Sequence, residues 1–231
     1  MAADYVSDRR RSRPVTKTPL FKKYKLLISV VLVIVIVGLI VAVVVINPFK
    51  TTEITNDQNE PVEEGNPIAV FNTSKGTFKV ELYQDVAPKT VENFINLVND
   101  GFYDGLIFHR IKDDFMIQAG KLYPDGLQKI SPYGNIEFEG DGEHVDGAIS
   151  MASTAAGVGG SAEFFICDGA QSGLDGSYAA FGVVIENIAV IRDIANDPHD
   201  GSLEPTPENP YLPGGGKPLT DIIINSIVIE N

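Results

Sequence analysis

The sequence contains one cysteine, three histidines and no tryptophan. A lone Cys167 excludes an intrachain disulfide. It lies in the apolar run Phe164-Phe165-Ile166-Cys167 and reads as a small buried hydrophobe, not a nucleophile. His144 stands near Asp141, Glu143 and Asp146, and His199 near Asp197 and Asp200, but neither set has regular ligand spacing. Both read as solvated turns and not as metal sites. His109 alternates away from Arg110 along a strand and reads as structural, so no Ser-His-Asp arrangement is suggested. The glycines of Gly157-Val158-Gly159-Gly160 are not followed by a Lys-Ser/Thr pair, which argues against a phosphate loop. There is no internal repeat.

Positive charge is scarce outside the N-terminus. Residues 1–25 hold eight basic residues against Asp4 and Asp8, a net +6, so the remainder carries −19 of the overall −13. A domain this acidic repels a phosphate backbone, and nucleic acid is not an expected partner. Directly after the basic tail, Leu26 to Ile46 is an apolar run broken only by Ser29 and Gly38. At 1.5 Å per residue it spans about 32 Å, a bilayer core. Its length, and the lack of a small-x-small cleavage site, favour an uncleaved transmembrane helix over a signal peptide. The basic tail is then expected in the cytoplasm, with the rest of the chain outside the plasma membrane. Residues 47–66 are polar, acidic and poor in apolar patterning, and are expected to form an extended tether.

From residue 67 onward the pattern is that of a folded domain. Phe78, Val80 and Leu82 alternate with Lys79, Glu81 and Tyr83, the mark of a strand with one buried face. Val91, Phe94, Ile95 and Val98 follow helical spacing, with Pro88 in the first turn and Gly101 as a stop. Further strands are expected at 148–153, 163–167, 179–185 and 221–229, and a second helix from Asn187 to Ala195. Residues 122–143 and 197–218 read as loops. Many short strands with two helices point to a mainly β fold, a barrel capped by helices.

Phe108-His109-Arg110 and Phe115-Met116-Ile117-Gln118 flank a charged turn, Lys112-Asp113-Asp114. A turn centred on Asp113 pairs Arg110 with Met116 and Phe108 with Gln118. Arg110, Met116 and Gln118 then share one face, with Arg110 and Gln118 on a diagonal of about 7–8 Å. A cation and an amide beside Phe and Met is the make-up of a small binding site.

The succession Phe108-His109-Arg110, Phe115-Met116-Ile117-Gln118, Ile149-Ser150-Met151-Ala152, Ser161-Ala162-Glu163-Phe164-Phe165-Ile166 and Leu174-Asp175-Gly176 followed by Phe181-Gly182 resembles the cyclophilins from about residue 67 to the C-terminus. The resemblance implies an eight-stranded antiparallel barrel with two helices and the activity of a peptidyl-prolyl cis-trans isomerase. It makes Arg110 the catalytic cation and Gln118 the group that holds substrate backbone and orients Arg110. Phe115, Met116, Phe165 and Leu174 become the proline pocket, although strict alternation sets Phe115 and Met116 on opposite faces. Ser153, Glu163 and Tyr178 occupy further substrate positions and depart from the family's usual Asn, Gln and His. Gly173 stands where many members carry an aromatic residue, so weak cyclosporin binding is expected. Rotation about an amide breaks no bond, so no cofactor or metal is expected.

The expected organisation is therefore a cytoplasmic tail (1–25), a transmembrane helix (26–46), a linker (47–66) and a cyclophilin-like domain (67–231). The expected function is prolyl isomerisation in exported proteins, with proline-containing segments of unfolded chains as partners. The rival reading is a non-catalytic proline-peptide-binding module tethered to the membrane.

Overall fold

The computed structural model describes residues 65–230. The expected tail, transmembrane helix and all but the end of the linker lie outside those residues. Among the described residues no helix is long and apolar enough to cross a membrane.

The first hairpin joins β1 (Ile68–Thr73) to β2 (Gly76–Leu82), in register from Ile68 opposite Glu81 to Thr73 opposite Gly76. Gly76 takes φ 135° where a Cβ would press on Val190 at 3.1 Å, so only glycine turns the chain there cheaply. Alternation buries Ala69, Phe71, Phe78, Val80 and Leu82 completely. Helix α1 (Pro88–Asn99) follows, with Pro at its start and no side-chain cap from its own N-cap residue. Its orphan N–H groups are taken up from far along the chain: Lys89 and Thr90 donate to the Glu139 carboxylate at 3.1 and 2.8 Å. A carboxylate there also complements the positive end of the helix dipole. The loop expected at 122–143 is thereby fastened to α1.

The remaining strands are β3 (Arg110–Lys112), β4 (Met116–Ala119), β5 (Ala148–Met151), β6 (Phe164–Cys167), β7 (Ala179–Glu186) and β8 (Ile224–Glu230), with α2 (Ile188–Ala195) after β7. All pairings are antiparallel, in the order β3-β4-β6-β5-β7-β2-β1-β8. The sheet curls until its ends meet: Ile107 bridges Ile223, Phe108 N–H donates to Ile222 O, and Ile224 N–H donates to Leu106 O. Among the described residues, the eight antiparallel strands and two helices are those expected for the domain from residue 67 onward.

The curled sheet encloses an aromatic core. Phe71 stacks on Phe78 at 4.6 Å, and Phe94, Tyr103, Phe164 and Phe181 pack edge-on or tilted around them. A second, smaller apolar cluster forms on the opposite face of β4, β5 and β6 from Met116, Ala148, Phe165 and Cys167. Period-two alternation explains both. Ile117, Phe164, Ile166 and Ile149 point into the barrel, while Met116, Phe165 and Cys167 point out of it. An outward apolar face demands a cover, and Phe115, Ala152, Leu174 and Tyr178 supply it.

Candidate active site

The turn after β3 pivots on Asp114, at φ 54°, and not on Asp113. Arg110 therefore stands directly opposite Gln118, and Lys112 opposite Met116. This corrects the expected register by two residues. A shift of two keeps every side chain on its face, so Arg110, Met116 and Gln118 still share one surface. Phe115 escapes the alternation problem because it belongs to the turn, not the strand. The turn is held from behind: Asp114 N–H donates to Asp168 Oδ2 at 3.0 Å, and Asp168 N–H donates to Phe115 O at 2.9 Å. Asp168 in turn pairs with Arg192 of α2.

Arg110, Phe115, Met116, Gln118, Ala152, Ser153, Phe165, Leu174 and Tyr178 line one pocket of about 150 Å³. Its floor is Met116 and Phe165, both nearly buried, and Tyr178 meets Phe165 edge-on with ring centroids 5.6 Å apart. Ser153, also in the lining, donates its hydroxyl to Ala155 O at 2.7 Å. Glu163 does not line this pocket. It lies in an adjoining groove of about 450 Å³ that shares Gln118, Ala152 and Ser153 with it.

The Arg110 guanidinium sits at the rim, 5.7 Å from the Phe115 ring centroid. Burial draws its pKa below the ordinary value, yet a guanidinium remains charged. Its Nε donates to Gly214 O at 3.2 Å, and Nη2 donates to Pro213 O at 3.0 Å and Gly214 O at 3.1 Å. Nη1 makes a long contact of 3.4 Å with Gln118 Oε1. Of five N–H donors, this leaves one, on Nη1, without a partner among the described residues. Pro213 and Gly214 were not among the expected site residues. They act through carbonyls, which no side-chain pattern advertises; the Gly214-Gly215-Gly216 run was the only available signal.

Gln118 Nε2 donates to Glu163 Oε1 at 2.7 Å, and His109 Nε2 lies 3.0 Å from the same oxygen. Lys121 Nζ is 3.5 Å from Glu163 Oε2. Burial works against the charged carboxylate, but His109, Lys121 and Gln118 together hold its pKa below the usual range. His109 is thus fixed by Glu163 rather than aimed at the pocket.

His144 is not in a solvated turn. It is 1% exposed and its ring stacks on Phe165, 5.8 Å between centroids at 9°. Both ring nitrogens find partners, Nδ1 at Asp175 Oδ1 (2.9 Å) and Nε2 at Ser150 Oγ (3.0 Å), which makes its burial tolerable. This in-line Asp-His-Ser chain is no hydrolytic triad, because Ser150 is 0% exposed beneath the strands. His199 accepts from Gly201 N–H within its own loop. Cys167 is buried, with its thiol pKa pushed up to about 12, first by burial and then by Asp146 and Asp175.

A family model described as cyclophilin type peptidyl-prolyl cis-trans isomerase matches residues 68–226. A Staphylococcus aureus (strain USA300) protein carrying the provisional name peptidyl-prolyl cis-trans isomerase is 32% identical over 203 residues, 74% of this chain and 96% of its own length. A peptidyl-prolyl cis-trans isomerase of Synechococcus elongatus is 41% identical over 131 residues, covering 55% of this chain and 88% of its own. Among solved structures, a Cryptosporidium parvum cyclophilin type peptidyl-prolyl cis-trans isomerase superposes with a TM-score of 0.58 at 26% identity, covering 72% of this chain and 98% of that one. The same Cryptosporidium protein has been crystallised in the presence of the dipeptide Ala-Pro, and that structure aligns with a TM-score of 0.57 at 27% identity.

Proposed function

The chain belongs to the cyclophilin-type peptidyl-prolyl cis-trans isomerases, and from that premise we propose that Arg110 is its catalytic cation and that the enzyme acts on exported proteins from a membrane anchor. The observation that carries the first part is the guanidinium held over the mouth of an apolar pocket with one N–H unused among the described residues. A proline ring seated on Met116 and Phe165, between Phe115 and Leu174, brings its amide beneath Arg110. The Ala-Pro dipeptide used with the Cryptosporidium relative is in keeping with such a guest.

The barrier to rotation about an X-Pro bond is set by amide resonance, about 18–20 kcal/mol. As the bond twists, the prolyl nitrogen becomes pyramidal and gains a lone pair able to accept a hydrogen bond. A donor aimed at that nitrogen is engaged by the twisted amide and much less by the planar one. Each 1.4 kcal/mol of this difference gives about tenfold in rate. Gln118 steadies Arg110 and offers its amide to the substrate backbone. Water is kept off the ring by the apolar floor, which strengthens the polar contacts above it. The test is a protease-coupled isomerisation assay on the full chain with Arg110→Ala beside it. Equal rates would overturn the role given to Arg110.

The anchor rests on Leu26–Ile46, the basic residues before it and the acidic residues after it. Protease added outside intact cells should release the isomerase domain and leave residues 1–25 protected. A mature N-terminus near residue 47 would show a cleaved signal instead.

A further inference from the structure

We propose, resting on the role given to Arg110 above, that the proline-rich loop between α2 and β8 is a positioning element for that residue, and that Glu204 holds the loop in its working place. The loop, residues 197–218, contributes no side chain to the proline pocket. Its main chain instead takes three hydrogen bonds from the Arg110 guanidinium, two at Gly214 O and one at Pro213 O.

An arginine side chain left to itself samples many rotamers, and ordering it costs free energy. Carbonyls that engage Nε and Nη2 together fix the plane of the guanidinium and turn the Nη1 edge toward Gln118 and the pocket. For the carbonyls to do this they must come close to β3, and two glycines permit it. Gly214 and Gly215 stand at φ +81° and +80°, where a Cβ would lie 2.3 Å from Lys112 Nζ and 2.2 Å from Ile111 O. Gly216 is stitched to the strand itself, exchanging bonds of 3.0 and 3.1 Å with Ile111.

The near side of the loop is a clasp. Leu203 N–H donates to Gly215 O at 3.1 Å and Gly214 N–H donates to Leu203 O at 2.7 Å. Gly215 N–H donates to Glu204 Oε1 at 2.6 Å. Beyond the clasp the chain runs out into solvent, and Tyr211 is 92% exposed. Glu204 is itself exposed and touches neither the pocket nor Arg110. Among the described residues its bonded link to Arg110 runs through the Gly214–Gly215 main chain.

The experiment is a double-mutant cycle on the full chain, reading kcat and KM for a proline tetrapeptide. Glu204→Ala should lower kcat by about threefold to tenfold, less than the roughly hundredfold that a 1 Å misplacement of a catalytic group can cost. KM should stay within about twofold, because the ring-binding side chains are untouched. Glu204→Gln keeps an oxygen acceptor for Gly215 N–H and should recover most of kcat. In an Arg110→Ala background, Glu204→Ala should add nothing further. Unchanged kcat in Glu204→Ala, or the same loss in both backgrounds, would overturn the proposal. A readout on the unaltered protein guards against a variant that folds poorly: the Arg110 Nε–H should exchange with solvent slowly by nitrogen-15 NMR, as a group bonded to Gly214 O must. Exchange as fast as that of a free arginine would also overturn it. Loss of isomerase activity in the unaltered chain would sink the catalytic reading, whereas the exchange measurement would still judge the clasp.

Discussion

Gln118 donates through Nε2 to Glu163 Oε1 at 2.7 Å. A carboxylate only accepts, so the amide has one permitted orientation, with its oxygen turned to Arg110. Where the family usually carries Gln, the amide partner could present either atom. The acidic departure at position 163 therefore removes an ambiguity next to the proposed catalytic group.

Arg110→Ala is expected to lower kcat/KM by at least about tenfold, since the role proposed for the cation is to act mainly on the twisted amide. The side chain packs on the outer face, away from the barrel core, so thermal unfolding should change little. Isomerisation rates and melting curves of the two proteins check both halves.

Glu163→Gln is expected to alter both substrate choice and acid stability. With Glu163 in place, peptides with Lys or Arg near the proline are expected to be favoured by about 0.5–1 kcal/mol, a preference that added salt should shrink. Lys121 and His109 beside it keep the effect modest. Its folded pKa lies below the ordinary 4.5. The stability it contributes is thus full above that value and is lost as pH falls through the lower, folded one. The Gln variant should lose less stability than the parent as pH drops below 4.5. Urea titrations at several pH values and competition between charged peptides are the measurements. A basic preference unchanged in the variant would assign it to the general acidity of the domain.

Gly173→Trp is expected to raise cyclosporin affinity. Gly173 lies in the short 3-10 turn Ser172–Leu174 at the pocket edge, and a Cβ there meets nothing within 4 Å. An indole hydrogen bond and its packing area are together worth roughly 2–4 kcal/mol, about 30- to 1,000-fold. Calorimetric titration of both proteins decides it; nanomolar binding by the parent would refute the premise.

Cys167 is expected to resist alkylation in the folded protein at pH 8 and to react on unfolding. Its thiol pKa of about 12 leaves almost no thiolate, and the side chain is fully buried. Mass spectrometry after iodoacetamide treatment, with and without urea, reads the difference.

Much of the fold was legible because alternation and helical spacing depend on local chemistry alone. The shared face of Arg110, Met116 and Gln118 was legible for the same reason, and it survived a register error of two. The register itself was not, since Asp113 and Asp114 are equally good turn residues and only the backbone reveals that Asp114 takes φ 54°. His144 misled because its sequence neighbours are acidic and polar. Its true partners, Ser150 and Asp175, lie 6 and 31 residues away. The Pro213 and Gly214 carbonyls had no side-chain signature beyond the neighbouring glycine run: every residue has a carbonyl, and only the path of the loop brings these two to Arg110.

The seam where Ile107 meets Ile223 closes the sheet, which bears on the clients proposed above. Unfolded chains carry exposed strands in search of an unpaired edge, and an open sheet would recruit them into aggregates. Here Ile111 on β3 is already bonded to Gly216, and Ile224 at the start of β8 to Gly105 and Leu106. If the proposed clients are unfolded chains, the closed seam offers them no strand edge to join there, which leaves the pocket and the adjoining groove as the surfaces for contact.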